Sequence, residues 1–124
     1  MSKYAGRKTA IHETVHFIGD WNDDWSNAEL RFLAARTKGD RLEKLQDLLP
    51  GYGYKRHEVT RKDKFFDPYV GRDYGRRSNE VGTMGIQEFY ADPIAFMEKD
   101  PDHWDFIYLL LRGQYEEINK RWTP

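Results

Sequence analysis

A chain of 124 residues with 20 Lys and Arg against 21 Asp and Glu has room for one domain and no excess of positive charge with which to coat a nucleic acid. Its 15% aromatic content argues against a disordered chain, and the absence of cysteine excludes disulfides, thiolate-bound metals and thiol nucleophiles. A metal site would have to be built from His and carboxylates.

Residues 9–19 read as a helix, with Ala10, Val15, Phe17 and Ile18 as apolar surface and Gly19 as its stop. A polar loop over 20–27 carries Trp21 and Trp25. Ser26 and Glu29 have capping-box spacing, which predicts a second helix over 27–36 with Leu30, Leu33 and Ala34 on one face. After a break at 37–40, Leu42, Leu45, Leu48 and Leu49 predict a short helix over 41–49 that ends before Pro50. The stretch PGYGY (50–54) is turn material. From 55 to 74, Val59, Phe65, Phe66, Tyr69 and Val70 stand among charges and predict one or two short strands or an extended loop. Residues 79–90 read as a helix opened by Ser78 or Asn79. Gly82 and Gly85 each cost it about 1 kcal/mol in propensity, which points to close approach by another element. Asp92-Pro93 and Asp100-Pro101 each set an N-cap before an N1 proline, predicting helices over 93–99 and 101–112, the second closed by Gly113. Residues 114–124 either extend that helix or fray.

These elements make one domain over 1–124, α+β and mostly helical. No apolar run approaches a membrane span, and residues 1–10 are basic and polar without the apolar stretch of a secretory signal. The expectation is a soluble, cytoplasmic protein with no membrane contact. Charge is uneven: 55–77 hold eight basic and four acidic residues, 78–113 two basic and seven acidic. Two solvated faces of opposite sign account for this; the sharper reading is a basic segment that meets an acidic partner or a substrate carboxylate. Nucleic-acid binding through that segment, with Phe65, Phe66 and Tyr69 as stacking groups, is the weakest competitor.

The chemistry centres on His12-Glu13-Thr14-Val15-His16, an HExxH sequence inside a predicted helix. Residues i and i+4 share a helical face, so both imidazoles can reach one ion, and Glu13 can take a proton from a water beside it. A hydrolytic zinc site needs a third ligand and an open position. No third His follows at metzincin spacing, which leaves a carboxylate. Glu80 is the first choice, because its glycine-bearing helix can lie close to the motif helix. Glu88, eight residues on and nearly on the same face, is the alternative ligand or a partner for an imidazole N–H; Asp20 is another such partner. A donor to a developing oxyanion could come from Tyr74, Tyr69, Arg76 or Arg77, with Tyr74 preferred. A fourth protein ligand, His57 or His103, would mark a structural ion instead.

HETVH followed at a distance by Glu80 resembles the gluzincin type of zinc metallopeptidase. More specifically, PGYGY, EVTRKDKFFDPYVGRDYGRR, NEVGTMGIQEFYADP and KDPDHWDFIYLLLRG, all within 50–113, resemble a zincin-like domain of phage minor head and head-morphogenesis proteins. The resemblance implies a minimal zincin-like domain whose HExxH helix packs on a Glu-bearing helix. It implies Zn2+ held by His12, His16 and Glu80, with Glu13 as general base. The expected function is zinc-dependent hydrolysis of peptide bonds in a peptide or protein substrate, in a host cytosol or virion, with other phage head proteins as partners. The alternative is a phage head structural or interaction module with a structural or vestigial zinc site. Two features depart from the family. Thermolysin-like gluzincins carry an Asp four residues after the ligand Glu, where this chain has Met84, and full zincin domains place strands before the motif helix, where only 11 residues precede His12.

Overall fold

The computed structural model describes residues 3–75 and 77–124, with side chains from Thr9 onward. Helix α1 (Lys3–Trp21) runs past both ends of the expected 9–19. Gly19 does not stop it. The glycine lies inside the helix, where a Cβ would stand 3.2 Å from Glu29 Oε1 on the next helix. Helix α2 (Asp23–Arg36) begins four residues early and replaces the expected loop over 20–27. Asn22 is the actual cap: its Oδ1 accepts from Trp25 N at 3.1 Å. Asp23 and Asp24 fill the first turn, where the helix dipole favours them. Ser26 and Glu29 are therefore buried mid-helix and form no capping box.

The expected helix over 41–49 divides into strand β1 (Glu43–Lys44) and a single turn, α3 (Leu45–Leu48). Leu45 is fully buried, which turns the chain inward at that point. Strands β2 (Val59–Thr60) and β3 (Arg72–Asp73) complete an antiparallel sheet of order β1-β2-β3, with Glu43 opposite Thr60 and Val59 opposite Asp73. A 3-10 turn, Pro68–Gly71, leads into β3 and is capped by Asp67, whose Oδ1 accepts from Tyr69 N at 2.8 Å.

Helices α4 (Val81–Ala91), α5 (Pro93–Lys99) and α6 (Pro101–Leu111) follow close to the expected bounds. Asp92 caps α5 through Ala95 N, and Asp100 caps α6 through His103 N, both at 3.0 Å. Gly113 turns the chain at φ 68°, and 114–124 neither extend α6 nor fray. They form α7 (Tyr115–Arg121), which folds back so that Ile118 and Trp122 are buried. Phe32 and Phe106 stack at 4.2 Å with Trp122 edge-on to both. Such fully buried side chains each contribute about 1.5–3 kcal/mol. This aromatic core anchors α2, α6 and α7. Helix α4 packs between α6 on one side and α1 on the other. Among the described residues, no helix is long and apolar enough to cross a membrane.

Candidate metal centre

His12 and His16 stand one turn apart on α1 with their Nε2 atoms 3.1 Å from each other. Glu80, the residue that opens α4, meets them: its Oε2 is 3.9 Å from His12 Nε2 and 3.5 Å from His16 Nε2. The three residues offer ligand atoms that all lie within 4.8 Å of one another. Two nitrogens about 2.0 Å from one zinc at a tetrahedral angle would be about 3.3 Å apart, close to the separations seen. The imidazoles are about one-third exposed, at 34% and 35%, whereas Glu80 is 3% exposed. Glu80 Oε1 accepts from Tyr74 Oη at 2.5 Å, but its Oε2 is buried with no hydrogen-bond partner. A buried carboxylate oxygen without a donor is costly, and a cation beside it would remove that cost. The donor set, two imidazoles and one carboxylate, is one that zinc accepts.

Helix α4 adds a second row. Glu80, Thr83 and Gln87 are spaced i, i+3, i+7 and face α1. Thr83 Oγ1 is 3.5 Å from His16 Nε2, and Gln87 Nε2 is 2.8 Å from His12 Nδ1. An amide rotated by half a turn presents its oxygen in place of its nitrogen. So turned, Gln87 would accept Nδ1–H and leave the His12 Nε2 lone pair for an ion. Helical spacing sets Glu88 apart from this row as a ligand. Seven helical steps return Gln87 to within about 20° of Glu80, whereas eight carry Glu88 about 80° away. Glu88 is not in the ligand group. Thr83 and Gln87 escaped the sequence reading, because only the packing of α4 on α1 brings them to the imidazoles.

Glu29 was also missed as a site residue. It is 5% exposed, and its carboxyl lies against two glycines, Gly19 of α1 and Gly82 of α4, where a Cβ at Gly82 would run into Glu29 Oε2. Burial pushes its pKa up to about 8, with smaller upward contributions from the charges of Glu80 and Asp20 and a downward one from the Asn79 side chain. It lines a cavity of about 160 Å³ beside His16, together with Asp20, Arg77 and Asn79.

The remaining candidates fall as follows. Glu13 is exposed on α1 and outside the ligand group. Tyr74 is at the site, but its single proton goes to Glu80 Oε1, so its hydroxyl steadies the carboxylate, a different task from the expected oxyanion donor. Burial and then that hydrogen bond raise its pKa, which keeps it a donor. Tyr69 Oη is 2.8 Å from Tyr74 Oη. Arg77 Nη2 donates to Ser26 Oγ at 3.0 Å and Asn27 Oδ1 at 2.8 Å, and Arg76 lies outside the described residues. His57 is exposed. His103 is fully buried, its Nε2–H donates to Val81 O at 2.8 Å, and burial pushes its pKa down to about 4. Neither histidine joins the ligand group as a fourth member. Phe65 is buried beneath the Arg36 guanidinium, and Phe66 packs on Phe96 and His103, so neither ring is available as a stacking platform. No family model matches the chain, and neither the curated proteins nor the solved structures include a match to it.

Proposed function

We propose that the protein is a zinc-dependent hydrolase of peptide bonds, with His12, His16 and Glu80 as metal ligands and Glu13 as general base. The observation that carries this reading is Glu80 Oε2: buried, without a hydrogen-bond partner, and 3.5–3.9 Å from two imidazole nitrogens. His12, His16 and Glu80 would hold a zinc ion, which would supply Lewis acidity for a scissile carbonyl and lower the pKa of a water toward neutrality. Glu13, one residue past His12 and exposed, accepts the proton of the attacking water and passes it to the leaving amine. Tyr74 holds Glu80 in place. The partly exposed imidazoles leave substrate a way in, and a ligand group of three among the described residues favours a catalytic ion over a structural one. The substrate class is peptide or protein. The phage-head setting, with other head proteins as partners, rests on the sequence resemblance alone.

Metal content and hydrolysis of fluorescently labelled casein test this together. The wild-type protein should carry one zinc per chain and release labelled fragments. His16→Ala should lose both, whereas Glu13→Gln should keep the zinc and lose the hydrolysis. Zinc lost with Glu13→Gln would overturn the role given to Glu13. A wild-type protein that takes up no zinc would overturn the function.

A further inference from the structure

Glu80 is held by more than one tyrosine. Tyr74 has one proton, and a carboxylate can only accept, so the 2.5 Å contact to Glu80 Oε1 fixes Tyr74 as the donor there. Its oxygen can then only accept from Tyr69, 2.8 Å away. The wiring therefore has one direction: Tyr69 to Tyr74 to Glu80 Oε1.

The source of this chain is itself fixed in place. Tyr69, the second residue of the 3-10 turn, has its backbone N–H on Asp67 Oδ1 at 2.8 Å, and its ring stacks on Tyr54 at 5.7 Å. Tyr74, just after β3, has the Arg72 guanidinium 4.4 Å above its ring. The sheet and its turn thus reach the metal centre through hydroxyls, while α1 and α4 supply the ligand atoms.

We infer that Tyr69 is a positioning residue of the metal centre: acting through Tyr74, it ties down Glu80 Oε1 and leaves Oε2 as the single oxygen that ligates a divalent cation. The inference rests on the metal reading of His12, His16 and Glu80. Donation by Tyr69 polarises the Tyr74 O–H and strengthens the bond that orients the carboxylate. Without it, Glu80 is free to rotate, and the ligand set loses pre-organisation. The Tyr69 hydroxyl bonds to Tyr74 and not to Glu80, so its effect on the ion passes through Tyr74.

The test is a double-mutant cycle on zinc affinity, measured by competition with a chromophoric chelator, with the visible absorption of the cobalt-substituted protein as a second readout. Tyr74→Phe should weaken zinc binding by about 10–100-fold, the range usual for groups that orient metal ligands. Tyr69→Phe keeps the ring on Tyr54 and should weaken binding several-fold. The double variant should be no weaker than Tyr74→Phe, and both single variants should shift the cobalt spectrum. Metal-free Tyr69→Phe should retain the wild-type circular dichroism, which separates orientation of the ligand from loss of fold. Tyr69→Phe with unchanged zinc affinity, or losses that multiply in the double variant, would overturn the inference while leaving the metal reading intact. A wild-type protein that binds neither zinc nor cobalt would overturn both.

Discussion

Helix α4 separates two histidine environments, and their contrast shows what decides a histidine's task. On the α1 side, His12 and His16 are about one-third exposed, their Nε2 atoms face each other, and the nearest carboxylate oxygen has no proton to accept. On the α6 side, His103 is sealed among Phe32, Phe66 and Phe96, with its Nε2–H committed to Val81 O. The residue type is the same; one environment turns two Nε2 atoms toward each other and toward a carboxylate, and the other commits Nε2 to a backbone carbonyl. Burial is also handled differently. The α6 side keeps a base neutral, and the α1 side keeps an acid neutral, at Glu29.

That difference gives opposite pH dependences, best measured by urea unfolding of the metal-free protein. Glu29 has its folded pKa raised to about 8 from 4.5, so its contribution is fully present below 4.5 and is lost as pH rises through 8. The full shift is worth about 5 kcal/mol. Glu29→Gln should therefore gain stability relative to wild type between pH 5 and 8, and a constant difference across that range would contradict the burial argument. His103 has its folded pKa lowered to about 4 from 6.5, so its contribution is present above 6.5 and is lost as pH falls toward 4. This is worth about 3 kcal/mol. Its ring resonances should titrate near 4 by NMR; a midpoint near 6.5 would mean that water reaches the ring.

Two glycines sharpen the comparison further. A Cβ at Gly85 would stand 2.6 Å from both His103 Nε2 and Ile107 Cδ1, inside a packed core. Gly85→Ala should cost about 2 kcal/mol even after the helix-propensity gain. Gly82→Ala meets the mobile end of one side chain, Glu29, and should cost less. Equal losses would erase the distinction between the two sides. Asp92→Ala, away from both, removes the cap on Ala95 N and should cost about 1 kcal/mol, read from the same unfolding curves.

Local signals were the legible ones. Asp92-Pro93 and Asp100-Pro101 act within a single turn, so α5 and α6 can be read without the rest of the molecule. HExxH spacing likewise brings two imidazoles together on any straight helix. Features set by distant partners are not readable in this way. Gly19 looks like a helix stop, but it makes room for Glu29, ten residues ahead on another helix. Ser26 and Glu29 match a capping box, but Asn22 competes for the same helix start. Residues 114–124 look like a tail until Phe32 and Phe106 supply a surface for Trp122. Within the candidate site, Glu80 was legible from its glycine-bearing helix. Thr83 and Gln87 were not, because nothing local marks a Thr or Gln as facing an imidazole. The direction of the Tyr74 hydroxyl depends on a carboxylate that only the fold brings to it.

The seam between α1 and α4 joins distant parts of the chain: the His16–Thr83 contact spans 67 residues and the His12–Gln87 contact 75. Closing loops of that length carries an entropic cost that the short-range pairing of α5 with α6 does not. Docking of α1 should accordingly come late in folding, and its amides should exchange with deuterium sooner than those of α6. A divalent ion bridging the seam would act as a clasp between the two ends of that loop, slowing exchange most in the helix that carries the imidazoles.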